Sequence, residues 1–157
     1  NPLAHIDPIG ALAMVFFKFG WSKPVPINEY NFEHREIGTA LTALAGPVSN
    51  FLAAGLTALI YKILQIQGSG PIEFLLYTFV VINLSLGIFN LIPIPPLDGH
   101  KIIRALLPKK LRYYWEKLEN FSFIFILLLL LPFSPVGGFT TSLISNTLSF
   151  LLKFLGF

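Results

Sequence analysis

The chain has 157 residues, of which 54% are apolar and only 12% charged, with a mean hydropathy of +0.71. A soluble domain carries about twice that charge fraction, so a soluble fold is excluded and one integral membrane domain is expected. There is no cysteine and the net charge is only +3, which excludes disulfides and thiolate sites. With its basic residues flanking apolar runs, the chain is not expected to bind nucleic acid.

The start, Asn1-Pro2-Leu3-Ala4-His5, has no positive flank followed by an apolar core, so it does not read as a signal peptide. The expectation is that it continues from a preceding segment. Residues 1–36 mix Pro2, Pro8, Gly10, Gly20, Pro24 and Pro26 with a short apolar run from Ile9 to Phe17. That run falls short of the roughly 20 residues a span requires. It predicts a re-entrant or interfacial segment, followed by an edge strand or hairpin in which Val25 and Ile27 alternate with prolines.

Residues 37–61 contain no charge and predict a first core helix. Thr39, Ala43, Gly46, Asn50, Ala53 and Ala54 share one face of it, and small residues let helices approach closely in lipid. Pro47 is expected to kink it. Gly68-Ser69-Gly70-Pro71 breaks the chain. A second core segment follows over 74–97, helical to about Ile92, with Asn83, Gly87 and Asn90 on one face. The plain reading of Asn83 is a hydrogen bond between helices.

This helix runs into Asn90-Leu91-Ile92-Pro93-Ile94-Pro95-Pro96-Leu97-Asp98-Gly99. Proline removes a donor and forces the preceding residue out of the α conformation, so the helix unwinds here and Asp98 follows on irregular backbone. Asp98 is the first carboxylate after Glu73. As pattern alone it reads either as the N-cap of the next helix or as an ionisable group of a functional site, since irregular backbone at membrane depth is tolerated where protein or a water-filled cavity covers it.

Residues 99–119 alternate Ile102, Ile103, Leu106 and Leu107 with Lys101, Arg104, Lys109, Lys110 and Arg112, followed by Tyr113, Tyr114 and Trp115. They predict an amphipathic, basic helix at the headgroup level. The 33 residues 120–152 carry no charge, too many for one ordinary span. Pro132, Pro135, Gly137 and Gly138 divide them into a helical hairpin. The expected architecture is thus an all-α polytopic membrane protein with about four transmembrane helices, an N-terminal re-entrant or hairpin segment and an amphipathic cytoplasmic helix. Placing Lys18, Lys23, Arg35, the six basic residues of 101–117 and Lys153 on the cytoplasmic side leaves Lys62 alone on the other, a strong positive-inside pattern.

His34 lies in a charged, solvated run, His100 reads as a local hydrogen-bonding group and His5 as structural. No His-Glu-x-x-His and no Gly-x-Ser-x-Gly occurs, so the residues alone assemble neither a zinc site nor a serine nucleophile.

The run from Asn90 to Gly99 resembles the motif that carries the third metal ligand in the site-2 protease family of intramembrane zinc metalloproteases. Asn1 to Gly10 is similar to the segment after that family's metal-binding helix in compact prokaryotic members. Gly20 to Asn28 is similar to their surface hairpin, and Ala45-Gly46-Pro47-Val48-Ser49-Asn50 to their next helix. The four motifs occur in the family's order over essentially the whole chain. The resemblance implies a single membrane-embedded peptidase domain over 1–157 in a prokaryotic plasma membrane. It implies one Zn²⁺ with Asp98 as a ligand, and Asn90 hydrogen-bonding the substrate or its developing oxyanion. Asn50 is a weaker substrate-positioning candidate. The implied partners are the bilayer and a transmembrane segment of a single-pass protein as substrate, with room for a homo-oligomer.

In that family a His-Glu-x-x-His helix supplies the other two protein ligands and the general base, and water completes an open tetrahedral site. With that helix missing, the chain as it stands is expected to lack N-terminal sequence, to bind zinc poorly and to be inactive. Two other classes stay open: a non-catalytic membrane protein in which Asp98 only caps a helix, and a transporter using Asp98 as a proton relay. The absence of internal repeats weakens the transporter.

Overall fold

A computed structural model describes residues 7–8, 11–12, 15, 32–66, 70–130 and 134–157. Its contacts divide the chain into two units, 1–33 and 34–157. In the first, the backbone is helical at Pro8, Ala11, Leu12 and Val15, and the Ala11 amide donates to the Asp7 carbonyl at 2.8 Å. Most of the re-entrant or hairpin segment expected over 1–36, including Val25, Ile27 and His5, lies outside the described residues.

The second unit begins with helix α1 (Arg35–Ile63), which covers the uncharged stretch 37–61. Its ends suit the helix dipole, with Glu36 in the first turn and Lys62 in the last. The small residues Thr39, Ala43, Ala54 and Ala58, with Pro47, form the buried face. Leu41, Leu52, Leu56 and Leu59 are exposed on the other side. An outward apolar face of this extent is what lipid requires. The helix ends with paired bonds, Gln65 N–H to Lys62 O and Ile66 N–H to Tyr61 O, and Gln65 in the left-handed region at φ 47°. Glycine usually fills that position.

Helix α2 (Pro71–Asn90) starts with proline at its first position, where the missing donor has no intrahelical partner anyway. It returns along α1. Tyr61 donates to Glu73 at 2.9 Å at one end. Farther along, Gly87 lies against Phe51 so closely that a Cβ there would sit 2.8 Å from the ring. Between these contacts the core forms from Ala54, Val80 and Leu84. Among the described residues Asn83 makes no bond between helices; its amide donates to the Phe79 carbonyl one turn back, at 2.9 Å. Its side chain thus satisfies itself within its own helix, so the expectation of an interhelical bond is overturned.

The basic segment expected over 99–119 is two helices, α3 (Asp98–Leu106) and α4 (Lys109–Lys117). Pro108 separates them and holds Leu107 extended at ψ 144°. A 3₁₀ turn (Leu118–Phe121) leads to α5 (Ser122–Leu130) and then α6 (Pro135–Leu155). The Ser134 hydroxyl caps α6 by accepting from the Gly137 amide at 2.8 Å.

Of the four spans expected, α1 and α2 are the described helices long and apolar enough to cross a membrane. Helix α5 as described has nine residues, and α6 carries Gly137, Gly138, Thr140, Thr141, Ser142 and Ser145 in its first half. Leu148, Leu151, Leu152, Leu155 and Phe157 pack α6 onto the core. The Phe157 ring lies 4.8 Å from that of Tyr61 and 5.8 Å from that of Tyr77. This corrects the charge count made from sequence. The chain end lies against Lys62, with a Cβ on Gly156 only 2.8 Å from the Lys62 Cε. Lys153 therefore shares the Lys62 end instead of facing it from across the fold. The reason is that α6 starts beside the Pro-rich break, at Phe139 and Thr140, and runs from there toward the far end of α1.

Candidate functional site

Seven residues, from Leu91 to Leu97, join α2 to α3. Three prolines prevent a helix here, and the backbone is held by tight turns. Ile92 N–H donates to Phe89 O at 3.1 Å, Ile94 N–H to Ile92 O at 2.8 Å and Leu97 N–H to Ile94 O at 2.9 Å. The Pro95–Pro96 bond is cis. Ile92 and Pro95 are buried. The break is thus a rigid corner, not loose chain.

Asp98 is the first residue of α3, and Leu97 takes the cap position with no side-chain cap bond. The expectation of irregular backbone at Asp98 is corrected by one residue, and the side-chain N-cap reading is corrected too. A carboxylate in the first turn still faces the positive end of the helix.

What seats Asp98 is Gly99. A Cβ on Gly99 would lie 2.5 Å from the Ile92 carbonyl oxygen and closer still to that of Leu91. Backbone meets backbone there, and only glycine allows it. On its other side Asp98 meets α1 at Gly46, where an added Cβ would stand 3.2 Å from Oδ2. The two glycines therefore set the carboxylate between the corner and α1.

Asn50 lies one turn beyond Gly46 on the same face of α1. Asn90 lies three residues beyond Gly87, which meets Phe51. The packing thus brings Asp98, Asn50 and Asn90 to one level of the fold. Both asparagines are half-buried.

Asp98 Oδ1 is 3.7 Å from Lys101 Nζ, and its side chain is 29% exposed. Burial pushes the carboxyl above its ordinary range, and Lys101 pulls it part of the way back. His100 turns the other way. It is 1% exposed, its Nε2 is 3.1 Å from the Trp115 carbonyl, and the Trp115 indole donates to the His100 carbonyl at 3.0 Å. The two rings stack 5.1 Å apart at 9°, and Nδ1 faces Glu119 at 3.4 Å. Burial lowers the imidazole's affinity for a proton, and Nε2 must carry hydrogen to face a carbonyl. His100 therefore rivets α3 to α4 and is no candidate ligand. His34, the cap residue of α1, is exposed as expected.

Farther along α3, Arg104 is buried, with Nε 3.7 Å from Glu36 of α1. Arg112 of α4 reaches the same carboxylate at 2.8 Å, and donates to the Arg104 and Leu107 carbonyls at 3.2 Å each. Helix α3 is thus fastened to α1 at both ends, at Gly46 and at Glu36.

Behind the corner is a cavity of about 430 Å³, lined by Phe51, Ile88 and Leu91 to Ile94 and by Phe139, Leu143 and Leu151 of α6, with Thr140 and Thr147 its polar residues. Leu91 and Ile92 thus line the cavity and also meet Gly99 with their carbonyls. The sequence carried no sign of this cavity or of the Gly46 contact, because both depend on residues far apart in the chain.

These features define a membrane protein with one desolvated carboxylate at a proline-built corner. The comparisons place it in a family. Residues 60–133 match the model of Peptidase family M50. The chain is 32% identical over 146 residues to the "Putative zinc metalloprotease YwhC" of Bacillus subtilis, covering 88% of this chain and 66% of that one. It is 40% identical over 77 residues to the zinc metalloprotease MJ0392 of Methanocaldococcus jannaschii, covering 48% of this chain and 22% of that one. The chain belongs to Peptidase family M50, the site-2 protease family. It spans just under two thirds of the Bacillus relative and under a quarter of the archaeal one. No solved structure matches it.

The zinc in the relatives' names can be tested against the donors present. Among the described residues no three His, Asp or Glu side chains converge as a metal site would need. One oxygen of Asp98 faces Lys101, and both nitrogens of His100 are engaged elsewhere. One carboxylate does not make a four-coordinate site. The described residues by themselves do not fit zinc.

Proposed function

We propose that this chain forms the substrate-facing core of an intramembrane zinc endopeptidase that cleaves transmembrane segments of other membrane proteins. In this reading Asp98 is the metal ligand the chain contributes, and the remaining ligands and the general base come from no described residue of it. Asn90, with Asn50 as a weaker candidate, hydrogen-bonds the substrate backbone. An unwound segment needs such partners, because its amides have left their i→i−4 bonds. The apolar cavity behind the corner suits a large aliphatic or aromatic side chain of such a segment. The chain lies in the membrane as a multi-pass protein with the Arg35, α3 and α4 end cytoplasmic.

The observation that carries the reading is the seating of Asp98. Two glycines on separate elements leave room for one desolvated carboxylate beside apolar helices. The competing reading is a non-catalytic family member in which Asp98 only supports the start of α3. The Lys101 ion pair favours it.

One set of variants separates the two. In the full-length protein reconstituted in vesicles, Asp98→Asn is expected to abolish bound zinc and cleavage of a transmembrane substrate while leaving thermal stability nearly unchanged. Zinc content and cleavage both retained in Asp98→Asn would remove Asp98 from the ligand role.

A further inference from the structure

Helix α4 has a surface that the proposed reaction does not use. Its inner side is engaged: Arg112 with Glu36, Trp115 with His100, and Glu116 with Arg104 at 3.9 Å. Glu119, just beyond, faces His100. Both acidic residues of the segment thus lie near an inner group, with about half of each side chain exposed. The outer side carries Lys109, Lys110, Tyr113, Tyr114 and Lys117, all exposed, in rows one helical turn apart. Lys117 Nζ lies 4.4 Å over the Tyr113 ring, and among the described residues neither Lys109 nor Lys110 has an anionic partner. Exposed apolar side chains flank this face, Leu106 at 76% and Leu111 at 54%.

We infer that the outer face of α4 docks anionic phospholipid headgroups. Phosphates meet Lys109, Lys110 and Lys117, while Tyr113, Tyr114, Leu106 and Leu111 enter the layer between headgroups and acyl chains. Three observations select a lipid surface over a soluble acidic partner. The cations are interleaved with apolar and aromatic side chains instead of forming a polar patch. Glu116, the acid within α4, lies 3.9 Å from Arg104, which offsets part of its repulsion of phosphate. The chain also runs on from this helix into the exposed, apolar Phe121, Ile124 and Leu127, side chains that themselves suit lipid. Because His100–Trp115 and Arg104–Arg112 join α4 to α3, headgroup binding also restrains the helix that begins at Asp98.

The full-length protein in phosphatidylcholine vesicles, with and without about one third phosphatidylglycerol, gives the test. Amide hydrogen exchange over 106–117 should be slower with phosphatidylglycerol, and native mass spectrometry should find the anionic lipid enriched on the protein. Each lysine is worth roughly fivefold in that enrichment. The triple variant Lys109→Gln, Lys110→Gln, Lys117→Gln should lose both effects, whereas Lys62→Gln with Lys153→Gln at the opposite end should keep them. Equal exchange in the two vesicles overturns the inference, as does a difference that survives the triple variant. Protection by soluble poly-glutamate in phosphatidylcholine alone, without any response to phosphatidylglycerol, overturns it in favour of a protein partner.

Discussion

Gly99→Ala puts one methyl group where two carbonyl oxygens already stand. The new Cβ would be 2.5 Å from the Ile92 oxygen, where ordinary contact starts at 3.4 Å, a shortfall of about 0.9 Å. No rotamer can relieve this, because the atoms on both sides are backbone. Ile92 is buried and tied to Phe89, so the corner is not free to retreat. The start of α3 must move instead, by close to an ångström, taking Asp98 with it. Overpacking of this kind costs about 1–3 kcal/mol, and a misplacement of about 1 Å at a reacting centre costs about a hundredfold in rate.

The expected result is a protein that still folds, with an unfolding free energy lowered by that amount in a detergent unfolding series. If the proposed peptidase function holds, zinc retention and cleavage by the full-length protein should fall much further than stability alone explains. Gly55→Ala is the control: its Cβ meets nothing within 4 Å, so it should be neutral or stabilise α1 by about 0.5–1 kcal/mol. If Gly99→Ala behaves like Gly55→Ala in both stability and zinc content, the backbone contact does not position Asp98.

Three other outcomes follow from the packing. Gly87→Ala sets a Cβ 2.8 Å from the Phe51 ring, a side chain that can give way, so it should cost about 1 kcal/mol and perturb the cavity Phe51 lines; reversal by adding Phe51→Leu would show as a coupling term in a double-mutant cycle. Arg112→Ala removes the 2.8 Å partner of Glu36 and two carbonyl bonds. It should destabilise by about 1–3 kcal/mol, with faster amide exchange in both α3 and α4; loss confined to α4 would show that Arg112 does not bridge the two. Trp115→Phe keeps the stack on His100 but deletes the indole donor to its carbonyl. About 1 kcal/mol should be lost, and a thermal shift within error of wild type would show that bond to be idle.

The helical class was legible because apolar runs without charge in 37–61 and 74–92 leave little alternative. The observed α1 extends two residues past those limits at each end, while α2 starts three residues earlier and ends two sooner. The small residues at 39, 43 and 54 do form the buried face. Asp98 was found by its isolation behind three prolines. Asn83 was misjudged because an asparagine in a helix can satisfy itself one turn back, which no spacing rule excludes. Pro108 in the basic segment was overlooked as a breaker, so two helices were read as one. The His100–Trp115 pair and the Gly99 and Gly46 contacts had no local signal, for each joins residues at least seven positions apart through tertiary packing. Lys153 was misplaced because the hairpin was assumed to cross the fold twice.

Helix α6 ties the far end of α1 to the cavity beside the Pro-rich corner. Phe157 lies against Tyr61 and Tyr77, and the neighbouring leucines join the core. Its opening turns, around Phe139 and Thr140, form a wall of the cavity. Thr140 is buried there and the Ser134 hydroxyl donates to the Leu128 carbonyl, so the helix is a strut about 30 Å long, held at both ends. Widening the cavity mouth at Phe139 would therefore have to move α5 as well.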